Sequence, residues 1–172
     1  MMDKSKTLKN LATTLALIML GVVLNVFDWA LMMLPNIELV TPLLIIYTYK
    51  FGVKALIPAY VYAFVEMATH GFNVWNIMYL YVWAILVLIA WPLTKIKAKK
   101  IATPVIAVFA GLYGLSFGAL CSVPYWFLNG PTFALAWIAS GFTFDVIHAV
   151  SNFVAVLVLY IPLCKVMDKI KL

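Results

Sequence analysis

Acidic, imidazole and amide side chains recur at helical spacing in this chain. Glu66 and His70 are four residues apart, and Asp145, His148 and Asn152 follow at positions i, i+3 and i+7, so each set shares one face of a helix. The sequence around both sets is strongly apolar. Ionisable groups at membrane depth are costly unless they are paired or face a polar cavity. These residues are therefore candidates for recognising the polar groups of a bound molecule.

Other polar and aromatic residues fall at the same predicted helix ends. The full set of candidates for ligand binding is Glu38, Glu66, His70, Asn73, Trp75, Asn76, Tyr79, Tyr125, Trp126, Asp145, His148 and Asn152. Two other interpretations stay open. The acid–histidine sets could hydrogen-bond each other and only stabilise the bundle, and the aromatic residues could form an interfacial belt. The convergence of several helices at one depth favours a pocket.

The composition places these candidates in a membrane protein. Of 172 residues, 66% are hydrophobic and 10% are charged, whereas about a quarter of the residues of a soluble domain are charged. We therefore predict an all-α integral membrane protein with the lipid bilayer as its main solvent. The net charge of +6 then reflects orientation in the membrane and not binding to nucleic acid.

Six transmembrane helices are predicted, at about 20 apolar residues for each crossing. They cover residues about 8–27, 37–51, 53–70, 74–93, 104–128 and 143–163, in a single membrane domain of residues 1–172. The last helix is predicted to begin at Thr143, with 131–141 as an outer loop or half-helix. All twelve basic residues are lysines, and they cluster where six crossings would meet one side. By the positive-inside rule, both termini are cytoplasmic.

Several chemical functions find no support in the sequence. No H-E-x-x-H or H-x-H spacing predicts a metal site, and no P-loop motif predicts ATP hydrolysis. Ser151 lies near His148, but no third group completes a hydrolase site. Cys121 and Cys164 lie in apolar stretches without ligand spacing and are predicted to be buried thiols. We predict neither an enzyme nor a cofactor.

The predicted outer half contains acids, amides and aromatic rings but no lysine or arginine. An anionic ligand would therefore lack the cationic partner that carboxylates and phosphates usually find. Aromatic rings stack on other rings and attract cations. The sequence accordingly predicts a small neutral or cationic heteroaromatic ligand.

Small residues mark two predicted helix contacts. Ala12 and Ala16 form an A-x-x-x-A pair in the first span, and Gly111, Gly114 and Gly118 recur in the fifth. Small residues at such spacing allow another helix to approach closely within a membrane. The glycines could equally serve packing inside the same bundle.

Together these features resemble the substrate-binding S component of energy-coupling factor transporters, the vitamin importers of bacteria. The similarity rests on the six-span length, the lysine distribution, Ala12 and Ala16, and the segment G-F-T-F-D-V-I-H-A-V-S-N at 141–152. It implies capture of a vitamin-like substrate on the outer side of the bacterial cell membrane. It also implies that Ala12 and Ala16 dock onto a transmembrane coupling protein driven by two ATPase subunits. The Met-Met-Asp start differs from the Met-His start of the nickel and cobalt branch.

Two functions of other classes remain as alternatives. One is a multi-span scaffold subunit similar to those of cell-wall elongation machinery, which would need no polar outer pocket. The other is a self-sufficient carrier, which would have to dimerise because no inverted repeat is visible.

Overall fold

The described part of the chain consists of helices and short connections, without a strand. A computed structural model describes the backbone of residues 4–34 and 36–170, and the side chains within 6–34, 36–98 and 101–170. In chain order the elements are α1 (Lys4–Leu31), α2 (Val40–Phe51), a 3-10 turn (Gly52–Ala55), α3 (Leu56–His70), α4 (Val74–Thr94), α5 (Lys99–Leu115), α6 (Phe117–Cys121), α7 (Val123–Leu128) and α8 (Pro131–Lys169).

By length and composition alone, four helical segments could cross a membrane, and a fifth qualifies if a bent pair counts as one crossing. The four are Lys6–Leu31, Val40–His70, Val74–Thr94 and Pro131–Lys169. The bent pair joins α5 to α6 and α7 at an angle of 47°. The prediction of an all-helical protein is confirmed for the described residues, and several of the helices have the length and composition of membrane spans.

The helix α2 runs alongside α8 in the same direction. Glu38, just before α2, lies 2.9 Å from His148 of α8. Near the other end of α2, the hydroxyl of Tyr49 donates to Asp168, close to the end of α8. The two contacts fix the direction of α2 within the bundle.

The chain then turns back, so that α3 runs opposite to α2. Val40 and Tyr62 line the same cavity, whereas a straight helix would hold them about 33 Å apart. The end of α3 meets the end of α1, where Trp29 donates to Glu66. The reversal occurs at Gly52, whose φ of 60° is readily adopted only by glycine. The segment 40–70 is therefore a V with its apex at the 3-10 turn.

Lysines gather at the end of the bundle that contains this apex. Lys9, Lys50 and Lys54 line one groove together with Asp168, and the ammonium of Lys95 lies 3.8 Å from the Trp91 ring centroid. Gly52 lies against the same tryptophan. The side chains of Lys4, Lys99 and Lys100, and all of Lys171, lie outside the described residues.

The last helix differs from the sequence prediction. We predicted a loop or half-helix over 131–141 and a helix start at Thr143, but α8 is continuous from Pro131. Gly130, with a φ of 84°, ends the preceding connection, and Pro131 is suited to a first helical position. Gly141 costs a helix interior only about 1 kcal/mol, which does not break it. The first turns of α8 consequently extend over the end of the bundle opposite the lysines.

Glycines bring α5 and α6 into contact with α8. A Cβ atom on Gly114 would lie 2.9 Å from backbone atoms of His148 and Ala149, and one on Gly111 would lie 3.3 Å from the Ala149 oxygen. The glycines of the predicted fifth span thus serve packing within the bundle. The close approach of α5 and α6 to α8 sets where Asp145 and His148 lie relative to these two helices.

We predict that Gly114→Ala destabilises the protein, because the added methyl group meets backbone atoms that cannot rotate away. Overpacking of this kind costs about 1–3 kcal/mol. Gly141→Ala is the matched control, since a Cβ at that helical position meets no atom within 4 Å. Thermal unfolding in detergent micelles should show a lower midpoint for Gly114→Ala only. Equal midpoints for both variants would contradict the packing assigned to Gly114.

Candidate functional site

A cavity of about 540 Å³ opens at the end of the bundle opposite the lysines. Its walls come from the end of α1, the connection 32–39, and α2, α3, α4, α6 and α8. The early turns of α8 contribute Trp137, Ser140 and Gly141, in the segment predicted to be an outer loop or half-helix. The volume suits one small organic molecule.

Aromatic rings form a continuous wall of this cavity. The rings of Tyr62 and Tyr79 are stacked with centroids 5.6 Å apart, and the ring of Trp83 meets both edge-on. Phe117 follows, with its centroid 5.6 Å from Trp83 and 4.8 Å from His148. Because each ring is held by the next, the wall offers a largely fixed apolar surface to a ligand.

Glu38 and His148 join the connection 32–39 to α8. Glu38 Oε1 lies 2.9 Å from His148 Nε2, and its other oxygen accepts the backbone N–H of Thr41 at 2.8 Å. Burial by itself would raise the pKa of Glu38, but the hydrogen bonds from His148 and Thr41 and the attraction of His148 outweigh it, so the pKa lies below its ordinary value. Glu38 thereby holds the start of α2 against α8 at the cavity wall.

Asp145 has a partner of its own. Its Oδ1 accepts the backbone N–H of Gly118 at 3.0 Å, in the first turn of α6, where helical N–H groups lack intrahelical acceptors. Asp145 is therefore not paired with His148, although their spacing in the sequence left that pairing possible. The two residues hold different elements, and both line the cavity.

Asp28 belongs to the cavity, although the sequence did not single it out. The hydroxyl of Tyr62 donates to its Oδ2 at 3.1 Å. The first span was predicted to end at Phe27, which left Asp28 in a connection, but α1 continues to Leu31. Asp28 lies seven residues after Gly21, and positions i and i+7 share a face of a helix. This spacing was the sequence signal that could have placed Asp28 on the same face of α1 as Gly21. Gly21 packs against Val61 of α3.

Four predicted site residues lie beside the cavity without lining it. Glu66 accepts from Trp29 Nε1 at 3.1 Å and lies 3.1 Å from Nδ1 of the exposed His70. Asn73 caps α4, with its side chain accepting from the backbone of Asn76, whose amide donates to a carbonyl of the preceding turn. These contacts match the bundle-stabilising interpretation of the acid–histidine set on α3.

The remaining predicted residues divide between the cavity and its surroundings. Trp75 and Tyr79 line it, joined by a 3.1 Å hydrogen bond. Tyr125 stands behind Trp137, with ring centroids 4.5 Å apart, and Trp126 donates to a serine of its own segment. Asn152 is fully buried, and neither atom of its amide has a hydrogen-bond partner within the described part of the chain.

Three aromatic residues of the wall were missed because they lie inside apolar runs. Aromatic residues such as Tyr62, Trp83 and Phe117 are common inside any membrane span. Only the packing of α3, α4 and α6 brings these three to the same cavity. Trp137 was missed because its segment was predicted to be an outer loop or half-helix outside the six spans. Among the described residues, no group of three histidine, cysteine, aspartate or glutamate side chains could hold a metal ion.

The site is that of a membrane-embedded helical protein with an aromatic, acidic cavity at one end. The chain matches no protein-family model, and we find no similar curated protein and no similar solved structure.

We predict that Glu38→Gln changes how stability depends on pH. The pKa of Glu38 is lowered in the folded protein from an ordinary value of 4.5. The carboxylate therefore stabilises the fold above pH 4.5, and this contribution is lost as the pH falls through the folded-state pKa. The difference in free energy of unfolding between the wild type and Glu38→Gln should shrink on acidification below pH 4.5. Denaturant titrations in detergent can measure it, and a difference independent of pH would contradict the assignment.

Proposed function

We propose that this protein is the substrate-capture subunit of an ATP-driven micronutrient importer of the energy-coupling factor type. In this role it binds a small neutral or cationic heteroaromatic molecule in the cavity described above. The observation that carries the proposal is the composition of that cavity. Aromatic rings and carboxylates line it, and its described lining contains no lysine.

The charges around the cavity favour a cation or a neutral ring over an anion. Asp28 and Asp145 each contribute a carboxylate, whereas Glu38 is paired with His148. The described lining of the cavity contains no lysine that could balance the first two or bind an anionic group. Tryptophan and tyrosine faces attract cations and stack on heteroaromatic rings. Both kinds of contact select the same class of ligand.

The proposed topology is six passes with both termini in the cytoplasm. The two arms of the V count as separate passes, and α5 to α7 form one bent pass. Lys9, Lys50 and Lys54 line one groove together with Asp168 and Ile170 at the end of the chain's last helix, which supports a common side for these lysine clusters. The positive-inside rule makes that side cytoplasmic, so that the cavity opens outward, in a bacterial plasma membrane.

Energy for transport is assigned to other subunits. The sequence has no P-loop, so ATP hydrolysis would occur in two ATPase partners linked through a transmembrane coupling protein. Ala12 is exposed on α1 and Ala16 is partly exposed. That surface supports the docking role that the resemblance gives to these alanines, because small side chains permit close helix contact.

We predict that a heteroaromatic cation stabilises the purified protein. A panel of B vitamins, their precursors and modified nucleobases would be screened by thermal unfolding. A ligand at 100 times its Kd should add about 2.7 kcal/mol to the free energy of unfolding. Asp28→Asn and Asp145→Asn should weaken the response to a cationic ligand, whereas Asp168→Asn at the lysine end should not. Selective stabilisation by the anion biotin, or no response to any compound, would reject the proposal.

We predict that enlarging the alanines of α1 disrupts assembly without affecting ligand binding. Ala12→Leu and Ala16→Leu should reduce copurification with a coupling protein, because larger side chains keep the helices apart. Ala68→Leu, at an exposed position near the opposite end, is the matched control. Unchanged copurification of both α1 variants would place the partner on another surface.

A further inference from the structure

A second cavity, a groove of about 610 Å³, lies at the end of the bundle opposite the aromatic cavity. The first turns of α1, the end of α2 with the 3-10 turn that follows it, and the end of α8 form its walls. The residues that line this lysine groove are Lys9, Asn10, Thr13, Lys50, Phe51, Lys54, Asp168 and Ile170. The proposed capture function makes no use of it.

The lysine groove carries an excess of positive charge. Its lining contains three lysines and a single carboxylate, that of Asp168. Lys50 is partly buried, and its ammonium donates to the carbonyl oxygen of Ile170 at 3.0 Å, which holds it beside the end of α8. Lysine ammoniums bind phosphate groups as point charges. A phosphate therefore has the charge that complements this lining.

Two of the three ammonium groups are available to such a ligand. The side chains of Lys9 and Lys54 are exposed, and neither makes a hydrogen bond or an ion pair with another described residue. The exposed amide of Asn10 beside them also has no such partner. The groove thus offers two charged donors and a neutral one that the described part of the chain leaves unused.

The lysine groove lies where a membrane would place its headgroups. Lys9 is within one helical turn of the start of the span-length segment Lys6–Leu31, and Asp168 is next to the end of Pro131–Lys169. The apex of the V closes the groove between them. Spans cross about 30 Å of hydrocarbon, and the polar headgroups begin where the spans end. A lipid phosphate and these lysines would therefore meet at the same depth.

Apolar residues in the same lining favour a lipid over a free phosphate ion. Phe51 and Ile170 line the groove beside the lysines, and Ile170 is 38% exposed. Inorganic phosphate would use the ammonium groups alone. An amphipathic molecule would use both kinds of surface, and basic pockets between transmembrane helices bind lipid headgroups for this reason.

We propose that the lysine groove is a binding site for an anionic phospholipid whose phosphate contacts Lys9, Lys50 and Lys54. The bound headgroup would join the start of α1 to the apex of the V and to the end of α8. The inference requires that the protein is embedded in a membrane, but it does not depend on the capture function.

Three probes and three variants test the site on the full-length protein in a neutral detergent. The probes are dioctanoyl phosphatidylglycerol, the zwitterion dioctanoyl phosphatidylcholine, and glycerol 3-phosphate, which has the phosphate without the chains. Lys9→Gln and Lys54→Gln each remove one unpaired ammonium. Lys97→Gln is the matched control, because it removes the same charge from an exposed lysine outside the groove lining.

Bound lipid would be counted by native mass spectrometry, with unfolding midpoints of the lipid-free proteins as a check on folding. Phosphatidylglycerol should bind more tightly than phosphatidylcholine. Lys9→Gln and Lys54→Gln should each weaken phosphatidylglycerol binding about fivefold, the contribution of one lysine next to an anionic lipid. Lys97→Gln should leave binding unchanged, and all midpoints should match the wild type because neither groove lysine has a partner to lose.

Equal binding of the two lipids would overturn the inference, since the groove would then not recognise the anionic headgroup. Equal weakening by Lys97→Gln would also overturn it, because the attraction would be spread over all lysines at that end of the bundle. Displacement of phosphatidylglycerol by an equal concentration of glycerol 3-phosphate would identify a soluble phosphate as the ligand instead of a lipid. Each of these results leaves the capture function standing, because that function is tested at the opposite end.

Discussion

Hydrocarbon offers no hydrogen bonds, and this constraint governs the whole molecule. A polar side chain at depth is costly unless it finds a partner in the protein or faces a cavity. Glu38 meets His148, Asp145 meets the free N–H of Gly118, and Asp28 meets Tyr62. Each of these contacts joins two different segments of the chain. The polar groups that a membrane makes costly are thus the groups that hold the cavity walls together.

The position of those groups depends on how closely α5 and α6 approach α8. Gly114 and Gly118 have no side chain to separate the helices, and a Cβ on either would collide with α8. The break between α5 and α6 also leaves N–H groups unpaired in the first turn of α6, and Asp145 uses one of them. Packing and polar recognition are therefore set by the same contact, which connects the stability of the bundle to the shape of its cavity.

The sequence predicted the membrane class and much of the cavity's polar chemistry. Glu38, Asp145 and His148 were identified because ionisable residues stand out in apolar sequence, and all three line the cavity. Glu66 and His70 carried the same signal but lie outside the lining, since spacing along a helix does not say which neighbour a face meets. Tyr62, Trp83 and Phe117 gave no signal, because an aromatic residue in a span looks the same whether it faces lipid, core or cavity.

Composition and lysine placement by themselves determined an all-helical membrane protein with its basic residues in a few clusters, because transfer of charge into lipid is prohibitive whatever the fold. Only the tertiary structure decided that α2 and α3 form a V, that α8 begins at Pro131, and that His148 pairs with Glu38 and not with Asp145. Those outcomes depend on contacts between residues far apart in the chain. A single sequence fixes which groups need partners, and the packing of the helices determines which partners they find.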